Sequence, residues 1–287
     1  MVSLVEKSRY HYETLPVLFL TASKVGMSSL RIRIQTSAPS GTIVLDNAKT
    51  RNALSRETIE DLTEAFADFH REKSVRAVIL TATGSTFCSG IDLKQWSEIQ
   101  GSEESLAAWQ DVTTELQELY ETMLRFPKPI VVAIDGPVLG AGLGLVLASD
   151  LVVASKRASF ASLASRVGLV SGLVAPLLAF RSGASVAARL LLHPHPVSAE
   201  QAYHWGLVHY LVDSGQIWAK GNEIVQDIAQ SSVESMQMTK RLLNEMVGES
   251  TWSHLTSGAA VMATIMSTES ASEGLKAFVE KRPTKFP

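Results

Sequence analysis

The segment Pro129–Ala148, PIVVAIDGPVLGAGLGLVLA, decides how the chain is read. Its first part, Ile130 to Ile134, is apolar and β-branched without polar alternation, the pattern of a strand covered on both faces. A glycine-rich turn follows, and an apolar stretch suited to a helix comes directly after it. Gly140 and Gly142 let the backbone approach a neighbour closely, and the start of the helix leaves N–H groups without intrahelical partners. Three readings fit such a turn: a dinucleotide phosphate loop, a purely structural turn, and a turn that binds an oxyanion. The first requires the order G-x-G-x-x-G, whereas the glycines here stand at 140, 142 and 144 and no fitting acidic residue follows about 20 positions on. On this segment alone the other two stay open.

The segment Ala77–Leu93, AVILTATGSTFCSGIDL, favours the third reading. It is again a buried strand and a turn, here ending in Phe87 and the small residues Cys88, Ser89 and Gly90. Two small-residue loops leaving two buried strands can each supply one backbone N–H to a carbonyl oxygen. Two further strand-like runs, Thr42–Leu45 and Leu151–Ala154, flank helical patterns. Ser55 can cap a helix with Glu57 in its first turn and an apolar stripe of Ile59, Leu62, Phe66 and Phe69. A second stripe runs through Leu106, Trp109, Val112, Leu116, Leu119 and Met123, up to Pro127. Strands alternating with helices indicate the α/β class. Beyond about Ala175 strand signals thin out, and the segments 184–192, 216–230, 236–246 and 273–280 suit helices.

A length of 287 residues fits one large domain or a domain with an appended subdomain. A net charge of −3 provides no electrostatic footprint for nucleic acid or an anionic membrane. The lone cysteine, Cys88, excludes an intrachain disulfide, and the apolar stretch Pro16–Leu20 is too short for a signal sequence. The expectation is a cytoplasmic protein without a membrane-spanning run. Residues 1–26 read as an extension or tail ahead of Met27. His193 and His195 in HPHP have no third ligand nearby, so no metal is expected.

Five segments in order resemble the crotonase, or enoyl-CoA hydratase/isomerase, superfamily. They are RNALS (Arg51–Ser55), FCSGIDL (Phe87–Leu93), the stretch Pro129–Ser155, AEQAYHWGLVHYLV (Ala199–Val212) and SEGLKAFVEKRPTKF (Ser272–Phe286). The resemblance implies a crotonase-like spiral of ββα units over residues 27–205. It also implies a C-terminal helical region, 206–287, that builds a homotrimer or a dimer of trimers. The ligand it implies is an acyl-CoA thioester, with coenzyme A as part of the substrate and no separate cofactor. The oxyanion donors fall on the N–H groups of Ser89 and Ala141. Ala53, Ile91, Asp92, Leu93, Gly140 and Ala164 fall on substrate-binding positions. Phe278 and Lys281 match positions that reach the coenzyme A of a neighbouring subunit.

The acid/base positions that the resemblance implies hold Gly144, Ala164 and Gly172, none of which can move a proton. The remaining polar candidates each have a plain structural reading beside the functional one. Ser162, Ser165 and Ser171 suit turn or core hydroxyls, and Arg166 suits a carboxylate partner or a surface salt bridge. Asp111, Glu115, Glu118 and Glu121 suit a solvated helix face, and Asp92 suits a helix cap. Two functions follow: an enzyme acting on an acyl- or enoyl-CoA by enolate stabilisation, or a degenerate acyl-CoA-binding protein or assembly subunit.

Overall fold

Runs of valine and isoleucine with no polar face can only be satisfied inside a sheet covered on both sides, and that is where they lie. The computed structural model describes residues 31–100, 105–246 and 248–287. The expected extension 1–26 lies outside them. Strands β2 (Ser40–Leu45), β3 (Ala77–Ala82), β4 (Ile130–Ile134) and β6 (Leu151–Ser155) are consecutive parallel neighbours in a six-stranded sheet. At one edge β1 (Ile32–Ser37) pairs antiparallel with β2, and at the other β9 (Tyr210–Val212) pairs parallel with β6.

A second sheet holds β5 (Pro137–Leu139), β7 (Ser159–Ala161) and β8 (Val197–Ser198). The chain passes from β4 into β5 and then into helix α4 (Gly142–Ala148). It next passes from β6 into β7 and on to α5 (Val174–Leu192). These are successive turns of a strand–strand–helix spiral. Cys88 bridges Val138, which brings the loop after β3 alongside β5.

Helix α1 (Arg56–Arg71) starts at Ser55, whose hydroxyl accepts the Thr58 N–H at 3.3 Å, and buries Ile59, Leu62, Phe66 and Phe69. After the short α2 (Leu93–Ile99), α3 (Ser105–Arg125) buries Trp109, Val112, Leu116, Leu119 and Met123. Leu106 departs from the expected stripe: in the first turn of α3 it is half exposed. Tyr120, unanticipated, is fully buried in the stripe. After α6 (Ala199–His204), α7 (Ile217–Ala229) lays Ile224, Val225 and Ile228 on Ala77, Ile79, Val131, Ala133 and Val153. Thus β9 and α7, assigned from sequence to the helical region 206–287, complete and cover the main sheet.

Helices α8 (Val233–Arg241), α9 (Glu249–Ile265) and α10 (Glu269–Glu280) close the chain, with a π-helical turn, Leu242–Met246, after α8. The sequence patterns show no helix at α9, whose small and polar residues blur the stripe. Contrary to the expectation of no spanning run, α5 is long and apolar enough by length and composition to cross a membrane. It breaks at Gly183 (φ 83°), carries Arg181 and Arg189, and buries Leu177, Leu178 and Leu190 in the core.

Lys240 on α8 is 7% exposed, and its ammonium donates to Asp150 at 2.7 Å and to the carbonyls of Met123 and Lys128. The same Asp150 oxygen accepts the Ile130 N–H at the start of β4. Removing one member of a buried pair strands the other charge. Lys240→Ala should therefore lower unfolding free energy by about 3 kcal/mol, the low end for such pairs because Asp150 keeps some solvent and a backbone donor. A urea titration showing a shift under about 0.5 kcal/mol, the ordinary level for surface changes, would contradict this placement.

Candidate functional site

Because β3 and β4 are parallel neighbours, the loops leaving their C-terminal ends emerge side by side. Their backbones touch. The Leu139 N–H donates to the Cys88 carbonyl at 2.9 Å, and the Phe87 N–H to that of Pro137 at 3.0 Å. A Cβ added at Gly90 (φ +91°) would lie 3.0 Å from the Leu139 oxygen and 3.2 Å from the Ala141 nitrogen. Gly140, at φ +51°, donates to the Ala161 carbonyl at 2.9 Å and turns the chain into α4.

Beside this junction opens a cavity of about 310 Å³. Ser89, Gly90, Gly140 and Ala141 form part of its wall; Ile91, Leu93, Trp96, Leu116 and Tyr120 form another. Leu173 and Val174 of α5 and Met262, Ile265 and Met266 near the end of α9 close it with apolar groups. Among the described residues, the titratable side chains in the lining are Arg51, Tyr120 and Arg166. Among the described residues, Arg166 makes neither a salt bridge nor a side-chain hydrogen bond, so the surface pair expected for it is absent.

The two expected oxyanion donors differ. The Ala141 N–H has no hydrogen-bond acceptor among the described residues. The Ser89 N–H is engaged, donating to the Arg51 carbonyl at 3.1 Å, which corrects the expectation of two free donors. The physical reason is the conformation of the preceding loop. Arg51 and Asn52 both adopt left-handed backbone (φ 57° and 55°), and the buried Asn52 amide anchors them on the Thr83 and Thr86 carbonyls.

Of the expected binding residues, Ile91, Leu93, Gly140 and Ala164 line the cavity. Asp92 does not: its carboxylate caps α2, accepting the Lys94 and Gln95 N–H groups at 3.0 and 3.3 Å. Ala53 is buried outside the lining, and its neighbour Arg51 reaches the cavity instead. Phe278 lines the cavity of its own chain. The cause is glycine: Cβ atoms at Gly168 and Gly274 would lie 2.1 and 2.0 Å from the carbonyl oxygens of Ser270 and Val167, so α10 packs directly on the 3₁₀ turn Ala164–Val167. Lys281 ends α10, exposed and outside the lining.

Two of the three acid/base positions, Gly144 and Gly172, are closed, while Ala164 lines the cavity. At Gly144 a Cβ would lie 2.1 Å from the Tyr120 ring, and at Gly172 it would lie 2.2 Å from the Gly258 carbonyl oxygen. The acidic residues of α3 stay outside: Glu115 pairs with Arg56, Glu121 with Arg125 at 3.0 Å, and Asp111 and Glu118 are exposed. Ser162 and Ser171 share a hydrogen bond at 2.5 Å, and Ser165 is exposed. The His193 and His195 rings stack 4.5 Å apart, and no metal-binding cluster occurs among the described residues. Sequence reading missed Tyr120 and the methionines Met262 and Met266, and it placed Arg51 at the site only as part of the RNALS segment. Tyr120 stands four residues after Leu116, one helical turn on, and that spacing was its available signal.

The family model described as enoyl-CoA hydratase/isomerase matches residues 36–287. A Thermus thermophilus protein, named provisionally as an enoyl-CoA hydratase, is 32% identical over 246 residues, 85% of this chain and 96% of its own. The mevalonyl-coenzyme A hydratase of Aspergillus fumigatus is 30% identical over 253 residues, 85% of this chain and 90% of its own. A solved enoyl-CoA hydratase from Mycobacterium avium is similar with a TM-score of 0.78 at 27% identity, covering 90% of this chain and 99% of that one.

Cys88 abuts the junction, yet burial pushes its thiol up to about 12. At pH 8 the thiolate is then on the order of one part in 10⁴, too little for nucleophilic use. Folded protein should resist iodoacetamide at pH 8 and become fully alkylated in urea. Stoichiometric labelling of the folded chain within minutes would mean the thiol is accessible and ionised.

Proposed function

The chain belongs to the enoyl-CoA hydratase/isomerase family, and from that premise we propose that its cavity binds an acyl-CoA thioester and polarises the thioester carbonyl through the Ala141 N–H. One observation carries the reading: Ala141, a residue of the cavity wall, has an N–H without an acceptor among the described residues, and the described lining holds no carboxylate and no imidazole. In surroundings of low dielectric a single donor strengthens as negative charge develops on the oxygen, by about 2.7–4 kcal/mol in measured cases. The apolar wall of Leu173, Val174, Met262, Ile265 and Met266 suits a hydrocarbon acyl group. The unpaired guanidinium groups of Arg51 and Arg166 suit the anionic groups of coenzyme A.

Hydration is a separate demand. It needs a base for water and an acid for the α-carbon, and each contributes roughly 10²–10⁴-fold. Tyr120 supplies neither, because burial raises its pKa well above the ordinary range and keeps the phenol neutral. A second reading, binding without turnover, is favoured by the engagement of the Ser89 N–H with Arg51, which leaves one free donor where the resemblance implies two.

Purified protein should bind a saturated acyl-CoA in a calorimetric titration yet fail to hydrate crotonyl-CoA, followed as loss of the enoyl-thioester absorbance. Turnover in the ordinary enzyme range of ~1–10³ s⁻¹ would overturn the reading. Ala141→Pro deletes the donor and should abolish carbonyl polarisation in a chain whose circular dichroism is unchanged.

A further inference from the structure

We infer that Tyr120 is the positioning residue of the carbonyl-polarising turn: its hydroxyl holds the Ala141 carbonyl so that the N–H of the same residue stays aimed at bound thioester. The inference rests on the reading that Ala141 polarises the ligand.

The turn has little stiffness of its own. Glycine stands at 140, 142 and 144, and glycine has the most backbone freedom to lose on ordering. Something outside the turn must therefore hold it. On one side is Cys88, 2.8 Å from where a Cβ of Gly142 would be. On the other is Tyr120, fully buried on α3, with its ring filling the space that any side chain at 144 would need.

The phenol donates to the Ala141 carbonyl oxygen at 2.6 Å, at the short end for an O–H···O bond. That oxygen also accepts the Gly144 N–H at 2.9 Å. Both its lone pairs are thus engaged, and the carbonyl presents no bare negative dipole to a thioester oxygen approaching its own N–H. Without the phenol, one of those lone pairs would lose its donor. The neutral phenol keeps donating through the whole ordinary pH range, so the restraint is permanent.

Loss of the hydroxyl alone leaves the Gly144 N–H on the carbonyl, so the fold should survive while the aim of the turn loosens. The probe is a 2,4-hexadienoyl-CoA, whose absorption moves to longer wavelength when its carbonyl is polarised. In Tyr120→Phe the red shift of the bound probe should fall by roughly half or more, as expected if a preorganised donor is misplaced. Affinity should change by no more than about threefold, the scale of one modest hydrogen bond. Gly144→Ala, which pushes on the same ring with the hydroxyl retained, should lower the red shift in the same way. A full red shift in folded Tyr120→Phe would overturn the positioning role while leaving Ala141 as the donor. A wild-type protein that binds the probe without any red shift would overturn the polarisation reading, and the role of Tyr120 with it.

Discussion

The approach of Gly90 to the turn at 139–141 is the constraint on which the rest of the site depends. Parallel pairing of β3 with β4 places two loops at one edge of the sheet, but pairing alone would leave them a side chain apart. Contact at 3.0–3.2 Å from a would-be Cβ is tight for any other residue, and a φ of +91° would strain one. Once the backbones touch, Cys88 must be small and buried, Gly142 must yield to it, and Gly140 must turn the chain through left-handed space. The small residues of both loops are therefore one packing solution, written in two places in the sequence. A site that presents backbone rather than side chains to its ligand follows from it.

The same device recurs where the cavity is closed. Gly172 meets the Gly258 carbonyl, Gly168 meets that of Ser270, and Gly274 meets that of Val167. Each contact brings two stretches of backbone together at a spacing that leaves no room for a side chain. Helix α10 then folds over its own chain and puts Phe278 on the cavity. Its end is latched by Arg282, which grips Glu273 at 2.6 and 2.8 Å, while the Lys285 N–H donates to the same carboxylate. These partners push Glu273 down to about 2, below its ordinary value. A depressed carboxylate adds stability above its unfolded pKa and loses it only as pH falls toward 2, so the latch holds at any ordinary pH.

What was legible in the sequence was what depends on local pattern. The four central strands could be read because burial on both faces removes alternation, and α1 could be read because its cap and stripe agree. Strand β1 was not, since only Ile32 of its six residues is buried, and the second sheet was not, since its strands run two or three residues. At the site, the lining by Ser89, Ala141, Ile91, Leu93 and Ala164 was legible from the family resemblance that the motifs carry. The engagement of the Ser89 N–H was not, because it depends on two left-handed residues 37 and 38 positions earlier. Nor was Tyr120 legible as a site residue, since a tyrosine on an apolar stripe looks like any core aromatic until Gly144 is seen beneath it.

The absence of acids and the presence of Tyr120 are then one feature rather than two. A carboxylate placed against the apolar wall of Leu173, Val174, Met262, Ile265 and Met266 would be strongly disfavoured in its charged form. At 144 there is not even the volume, because the phenyl ring already stands there. The ring brings a hydroxyl that satisfies the turn's carbonyl and so leaves its N–H as the available partner for an incoming oxygen. Apolar closure makes that one donor more effective and makes water and proton transfer harder in the same measure. On the proposed reading, a site so built holds a thioester and draws charge onto its oxygen, and every step that moves a proton is left to solvent or to the ligand itself.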